Sequence, residues 1–403
     1  MFKARVATVL LLPLLTATGL NSISQGAEAR PFPQAGSVPC YGLKPNDRTQ
    51  QAMNQAVLKC YNRWTSRFMM ESVKVPGDYK INFDNTGATV SEAMGYGMLL
   101  TVMMAGADPK AKTYFDGLNR FRKRYPSTKN KALMDWKVER VEEEPNDSCA
   151  TDGDVDIAMA LLMASVQWNN PTYLAEATTI INAIELSLVR ADFSLRLGDW
   201  NLAGGQTRPS DFATAQYRSF HQATGNFLWK NVETKCYSIL TQLQADYAPS
   251  TGLAPDFTVI SEGKWVPAAP RFLEGPEDGN YFYNSCRVPW RIGLSAVYHN
   301  EAAARNLMTK FMKWVVANHT APEKFRAGYA LDGSNGNGNG NGYESGCFIA
   351  PTGIAAMVTS NQTWLNQTFS WCITNSGGYY EDGVALMSLL VMSGNAWLYD
   401  GTK

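Results

Sequence analysis

Two short stretches of this sequence place carboxyl groups where they can do proton chemistry. Glu92 stands in Val90-Ser91-Glu92-Ala93-Met94-Gly95-Tyr96-Gly97-Met98-Leu99-Leu100, at the start of a predicted helix with almost no other charge. A carboxyl in so apolar a setting has a raised pKa and can stay protonated as an acid. The ordinary alternative is a glutamate drawn to the first helical turn by the helix dipole. The second stretch is Ala150-Thr151-Asp152-Gly153-Asp154-Val155-Asp156-Ile157-Ala158-Met159-Ala160-Leu161-Leu162. Its three acids alternate across a helix start that then turns strongly apolar. Asp152 and Asp154 can act as simple N-caps, but acids so close repel one another unless sugar hydroxyls or a water uses them. One carboxyl to protonate a leaving oxygen and one to activate water are the usual metal-free apparatus for cleaving a glycosidic bond.

The elements that must position these groups are helices. Beyond residue 45 the apolar residues recur with a period near 3.6, in helix-length segments separated by polar, glycine-rich loops. The pattern predicts helices over 47–68, 91–105, 111–124, 154–168, 170–190, 210–226, 228–246, 286–298, 301–318, 347–359, 361–374 and 381–393, with few and short strands. About a dozen helices joined alternately by short and long loops point to antiparallel pairs arranged in a ring, an all-α fold. The long loops, 70–90, 135–152 and 248–284, are expected at one end of that ring, where they would form a cleft. No Pro/Ser-rich linker divides the chain, so residues 30–403 are expected to form one catalytic domain, with the repeat at 335–342 (NGNGNGNG) a surface loop.

Composition narrows the function. The formal net charge is zero and there is no basic tail, which argues against nucleic acid or an anionic membrane as partner. The 11 Trp and 18 Tyr mostly serve a large core, but flat rings also stack on the apolar faces of sugars. Lys3 and Arg5, the apolar run Val6 to Leu15 and the small-x-small Ala27-Glu28-Ala29 read as a signal peptide over 1–29. No segment is long and apolar enough to span a bilayer, so a secreted enzyme, acting as a monomer, is expected. Some of the seven cysteines (40, 60, 149, 236, 286, 347, 372) should then pair, leaving at least one free. With three histidines and no CxxC, a metal site is not expected. The sequons at Asn146, Asn318, Asn361 and Asn366 would matter only in a eukaryotic host.

Taken together the motifs resemble a known family. VSEAMGYGM and ATDGDVDIAMALLMASVQW are similar to the two hallmark stretches of glycoside hydrolase family 8. Further similar stretches are Thr207-Arg208-Pro209-Ser210-Asp211-Phe212, Gly252-Leu253-Ala254-Pro255-Asp256-Phe257, Cys286-Arg287-Val288-Pro289-Trp290-Arg291 and Tyr379-Tyr380-Glu381-Asp382, so that the likeness runs from about residue 75 to 400. It implies an (α/α)6 barrel, an inverting mechanism without cofactor, and endo-action on a β-1,4-linked polysaccharide. By position, Glu92 matches the general acid and Asp152 the acid that holds the central sugar. Trp136, Tyr217, Tyr283, Arg287 and Tyr380 fall near positions lining sugar subsites.

One position departs from the family pattern. Where much of the family has an Asp as general base, three residues before Arg287, this chain has Asn284. An amide cannot take a proton from water, so Asn284 is a spectator or a sugar-binding amide. A family subgroup with this Asn, containing chitosanases, lichenases and some endoglucanases, draws its base from the preceding loop. Here that loop reads Phe272-Leu273-Glu274-Gly275-Pro276-Glu277-Asp278-Gly279-Asn280-Tyr281. Glu274 is the expected base, ahead of Glu277 and then Asp278. The acid-rich run Glu139-Arg140-Val141-Glu142-Glu143-Glu144 and the loop acids would attract cationic chitosan. Chitosan is therefore the expected substrate, ahead of cellulose or mixed-linkage glucan. A carbohydrate-binding relative without a base is the reading from another class.

Overall fold

A computed structural model describes residues 28–34, 40–145, 147–334 and 342–401. Most of the expected signal peptide, the Asn146 sequon and nearly all of the NGNGNGNG repeat lie outside the described residues.

Among the described residues there are twelve α-helices: α1 Gln50–Phe68, α2 Ser91–Met103, α3 Ala111–Arg124, α4 Thr151–Gln167, α5 Pro171–Leu188, α6 Thr214–Thr224, α7 Leu228–Asp246, α8 Val288–His299, α9 Ala302–Asn318, α10 Gly346–Val358, α11 Gln362–Thr374 and α12 Tyr379–Met392. The even-numbered helices touch in succession, α2 to α4, α6, α8, α10 and α12, and α12 returns to α2. Each odd-numbered helix packs outside an even one. The result is an (α/α)6 barrel, an inner ring of six helices within an outer ring of six.

The sequence explains which helices lie inside. Every residue of α10 is buried, and every residue of α2 except Glu92. A helix apolar on all sides is stable only when surrounded by protein. The outer helices are two-faced; α3 buries Phe115, Leu118 and Phe121 while Arg120, Lys123 and Arg124 face outward. One hydrophobic core runs from Phe32 to Trp397. The cysteines belong to it: all seven are free thiols, six of them buried, so the expected disulfides are not formed. They come from separate helices and loops and fill the interior as small apolar groups.

The inner helices start at one end of the barrel, where short antiparallel sheets fix the long loops. A first sheet pairs β1 Met69–Glu71 with β2 Tyr79–Ile81. A second pairs β3 Thr89–Val90 with β4 Lys137–Val138, and the Ser91 N–H donates to the Trp136 carbonyl at 2.9 Å. The start of α2 is thereby tied to the loop that carries Trp136. A third sheet, in the order β5 Gln206–Thr207, β6 Thr258–Ser261, β7 Lys264–Pro267, joins the segment before Arg208 to the loop that carries Glu274. All three lie in stretches that the apolar period marked only as loops.

Candidate active site

The site begins where α2 and α4 cross. A Cβ on Gly153 would lie 2.2 Å from the Ser91 Oγ, and one on Gly95 would lie 2.6 Å from the Asp156 Cβ. The two helices can approach this closely only at glycines, and their first turns then present Glu92 and Asp152 to one cation. Arg287, buried at the start of α8, donates through Nη1 to Glu92 Oε2 at 2.6 Å and to Asp152 Oδ2 at 2.7 Å. Tyr379, the first residue of α12, donates its hydroxyl to Glu92 Oε1 at 2.9 Å. Arg208 Nη2 holds Asp152 Oδ1 at 3.0 Å.

These surroundings push the two carboxyls apart. Burial raises the Glu92 pKa; Arg287 opposes it and the Asp152 charge reinforces it, leaving the group above its ordinary value. Asp152 is also buried, but Arg208 and Arg287 overcome that penalty and hold its carboxyl well below the usual carboxylate range. One is disposed to carry a proton and the other to stay charged, the division that acid catalysis at a sugar requires.

The other acids of the second stretch have different work. Asp154 accepts the Met134 N–H at 2.9 Å, and burial pushes its pKa up to about 8. Asp156 forms a two-pronged pair with Arg291 inside the barrel, at 2.6 and 2.7 Å. The Asp residues sit within the first turns of α4 and not at its cap, which is Ala150.

A third carboxyl faces these from the loop after β7. Glu274 is exposed, and its Oε2 accepts from Asn284 Nδ2 at 2.8 Å. The Asn284 Oδ1 accepts from Arg208 Nη1 at 3.2 Å and from Arg287 Nη2 at 3.1 Å. The amide is therefore oriented from both sides, with its NH2 toward carboxylates and its oxygen toward guanidinium groups. Asp256 fixes the backbone beneath it by accepting from the N–H groups of Phe282, Asn284 and Ser285 at 2.7–3.0 Å. Burial raises the Asp256 pKa to about 6. Glu277 and Asp278 are both buried and bonded within their own loop, Glu277 to Asn280 Nδ2 at 2.7 Å and Asp278 to three backbone N–H groups.

Glu274 and Arg208 border a cleft of about 620 Å³ that Trp136, Trp200, Leu197, Phe257 and Leu273 also line. Trp136 and Trp200 are 41% and 42% exposed, so each offers a ring face. The Trp136 indole is held by its N–H to Asp147 Oδ2 at 2.8 Å. On the other side of Arg287, the Tyr380 ring lies 5.8 Å from the guanidinium carbon and its hydroxyl donates to the Tyr283 carbonyl at 2.6 Å. The hydroxyls of Tyr283 and Tyr343 lie 2.7 Å apart. Among the described residues there is no cluster of three or more side chains suited to a metal ion.

The sequence profile of the glycosyl hydrolases family 8 matches residues 43–394. The chain belongs to glycoside hydrolase family 8. It is 43% identical over 390 residues to a β-glucanase of Niallia circulans, covering 94% of each chain. It is 34% identical over 388 residues to an endoglucanase of Bacillus sp. (strain KSM-330), covering 92% of this chain and 82% of that one. Among solved structures it resembles the apo β-1,3-1,4-glucanase from Paenibacillus sp. X4, with a TM-score of 0.88 and 42% identity over 93% of this chain and all of that one.

The structure of this glycoside hydrolase brings together Glu92, Asp152, Glu274, Asn284 and Arg287, and sets Trp136, Tyr283 and Tyr380 around them. Tyr217 is not among them. It is fully buried, its ring stacked 5.8 Å from that of Trp229 and its hydroxyl bonded to the Asp211 carbonyl at 2.5 Å. The reason is local: Tyr217 lies on the face of α6 that turns toward Trp229 of the outer helix α7 and away from the cleft. The acid-rich run is a free negative patch only in part, at the exposed Glu143 and Glu144. Glu142 is fully buried, paired with the buried Lys80 at 2.7 Å and bonded to Ser72 Oγ at 2.5 Å, and Glu139 pairs with Lys137.

Sequence reasoning missed Tyr379, Arg208, Asp256 and Trp200. The first three lie inside stretches singled out for their family likeness, Tyr379 directly beside Tyr380. Trp200 had only its place in a glycine-rich loop before the TRPSDF stretch to mark it.

Proposed function

We propose that this enzyme hydrolyses β-1,4 bonds inside mixed-linkage β-1,3-1,4-glucan by a single displacement with inversion. The observation that carries the reading is the set of three carboxyls around Arg287, Arg208 and Asn284: one disposed to hold a proton, one held charged, one exposed in a tryptophan-lined cleft. Glu92 gives its proton to the glycosidic oxygen as the bond to C1 breaks. Glu274 takes a proton from water as that water attacks C1 from the opposite face. The Asp152 carboxylate holds the central sugar and supports the positive charge that develops on its ring. Asn284 orients Glu274 and cannot itself act as base.

Two observations favour neutral glucan as substrate. Two relatives of more than 40% identity are a β-glucanase and a β-1,3-1,4-glucanase. Part of the acidic charge that would draw a cationic polymer is spent on internal bonds, Glu142 on Lys80 and Asp278 on its own loop, while Glu143 and Glu144 stay exposed. Linear β-1,4-glucan is the secondary substrate, in keeping with the Bacillus endoglucanase. The enzyme is further proposed to act outside the cell, a reading that rests on the basic and apolar N-terminal segments ahead of Ala29. Reducing-sugar release from mixed-linkage glucan, carboxymethylcellulose and soluble chitosan tests the substrate. The expected order has mixed-linkage glucan first and chitosan at background; faster release from chitosan would overturn it.

A further inference from the structure

Glu274 is exposed at the tip of a loop, and its side chain has one bond, to Asn284. Beyond that one bond, a base so placed must owe its aim to its own backbone. That backbone is gathered by a single carboxylate. Asp278 Oδ2 accepts from the N–H groups of Leu273 at 2.6 Å and Glu274 at 3.0 Å, and Oδ1 accepts from Gly275 at 2.9 Å. Three consecutive N–H groups converge on one buried anion, and the residue in the middle is Glu274.

Asp278 is itself anchored to the frame of the site. Its carbonyl accepts from the Phe257 N–H at 2.8 Å, next to Asp256, which holds the backbone of Asn284. The Phe257 ring also packs 5.8 Å from that of Phe272 at the loop's entrance. Backbone and side chain of Glu274 are thus referred to the same Asp256–Phe257 segment, one through Asp278 and one through Asn284.

We infer that Asp278 is the positioning residue of the general base: its carboxylate nucleates the 273–275 turn and thereby aims Glu274 at the attacking water. The inference rests on the reading of Glu274 as base. It assigns Asp278 no contact with substrate and no proton transfer.

A double-mutant cycle tests it on the full-length enzyme with mixed-linkage glucan. Asp278→Ala should lower kcat by about 100-fold, the scale of loss for a catalytic group displaced by about an ångström, with KM changed less than about twofold. Asp278→Asn, which keeps one acceptor oxygen, should recover part of that loss and serves where the alanine variant does not fold. In a Glu274→Ala background, either change at Asp278 should lower the residual rate less than twofold, because no base is left to misplace. Multiplicative losses, or a loss in KM equal to that in kcat, would overturn the inference. A Glu274→Ala enzyme with more than half the wild-type rate would instead overturn the base assignment, an outcome read from the single variant before the cycle is closed. An enzyme active without Glu274 but inactive without Asp278 would make Asp278 the base and refute both.

Discussion

Removing one hydroxyl should move one limb of the pH profile. Tyr379 Oη donates to Glu92 Oε1 at 2.9 Å, and the bond lowers the Glu92 pKa against the upward push of burial. Tyr379→Phe keeps the ring in its packing against Trp64, Phe68 and Tyr96 and deletes only the donor. A hydrogen bond to a charged group contributes about 1.5–3 kcal/mol. Part of that survives when Glu92 is protonated, so the difference between the two forms is about 1.4 kcal/mol, or about one pKa unit. The sign follows from the charge: losing a donor to the carboxylate destabilises the ionised form and raises the pKa further. Glu92 must be protonated to act, so the basic limb of kcat/KM, which reports the free enzyme, should move up by about one pH unit. The acidic limb, set by the base, should stay in place. A profile measured on mixed-linkage glucan with both enzymes reads the shift directly. A basic limb that stays put, moves downward, or is replaced by a shift of the acidic limb would refute the assignment of Glu92 as proton donor.

Other substitutions probe neighbouring parts of the account. Glu92→Gln keeps the shape of the side chain but has no proton to donate, so kcat should fall about 100-fold or more while the protein folds and binds sugar; retention of half the rate excludes Glu92. Trp200→Ala removes a half-exposed ring from the cleft and should raise KM by about tenfold with little change in kcat, since stacking of about 1.4 kcal/mol acts alike on ground and transition states. Asp154 has a pKa of about 8 in the folded protein against an ordinary 3.8. Its folded state therefore holds a proton that the unfolded chain has lost, and the stability this gives declines as pH rises through the interval between those values. Asp154→Asn keeps an acceptor for the Met134 N–H and cannot ionise, so its Tm should exceed wild type by a few degrees at pH 9 and gain less at pH 5. Equal gains at the two pH values would contradict the protonated state.

Much of this was readable because certain residues signal their setting by their neighbours. Glu92 sits among alanine, methionine and glycine, and a lone carboxyl there is either costly or useful. Its helix is apolar all round, which alone places α2 in the inner ring. Asn284 turned the search toward the preceding loop, and the structure brings Glu274 of that loop against the Asn284 amide. What failed depended on distance in space. Tyr217 was misplaced because position along the chain does not tell which face of α6 a residue takes, and this ring turns outward onto Trp229 of α7. Glu142 reads as a solvated charge beside Glu143 and Glu144, but its partner, Lys80, comes from a strand far earlier in the chain. Arg208 and Tyr379 could not be ranked above other polar residues of their motifs, since their value lies in which carboxyl oxygen they reach. The cysteines misled as well: spacing along the chain does not show which thiols meet, and even Cys286 and Cys347, whose thiols are in hydrogen-bond contact, carry no disulfide.

The central claim is that water is activated by Glu274 on the face of the sugar opposite Glu92. The most direct test is to follow Glu274→Ala acting on a β-linked glucan oligosaccharide with added azide, and to read the anomeric configuration of the products by proton NMR. Azide needs no base and fits the space the carboxylate leaves. The account predicts almost no hydrolysis without azide and accumulation of the α-glycosyl azide with it. A β-glycosyl azide, or brisk hydrolysis by Glu274→Ala in the absence of azide, would contradict it.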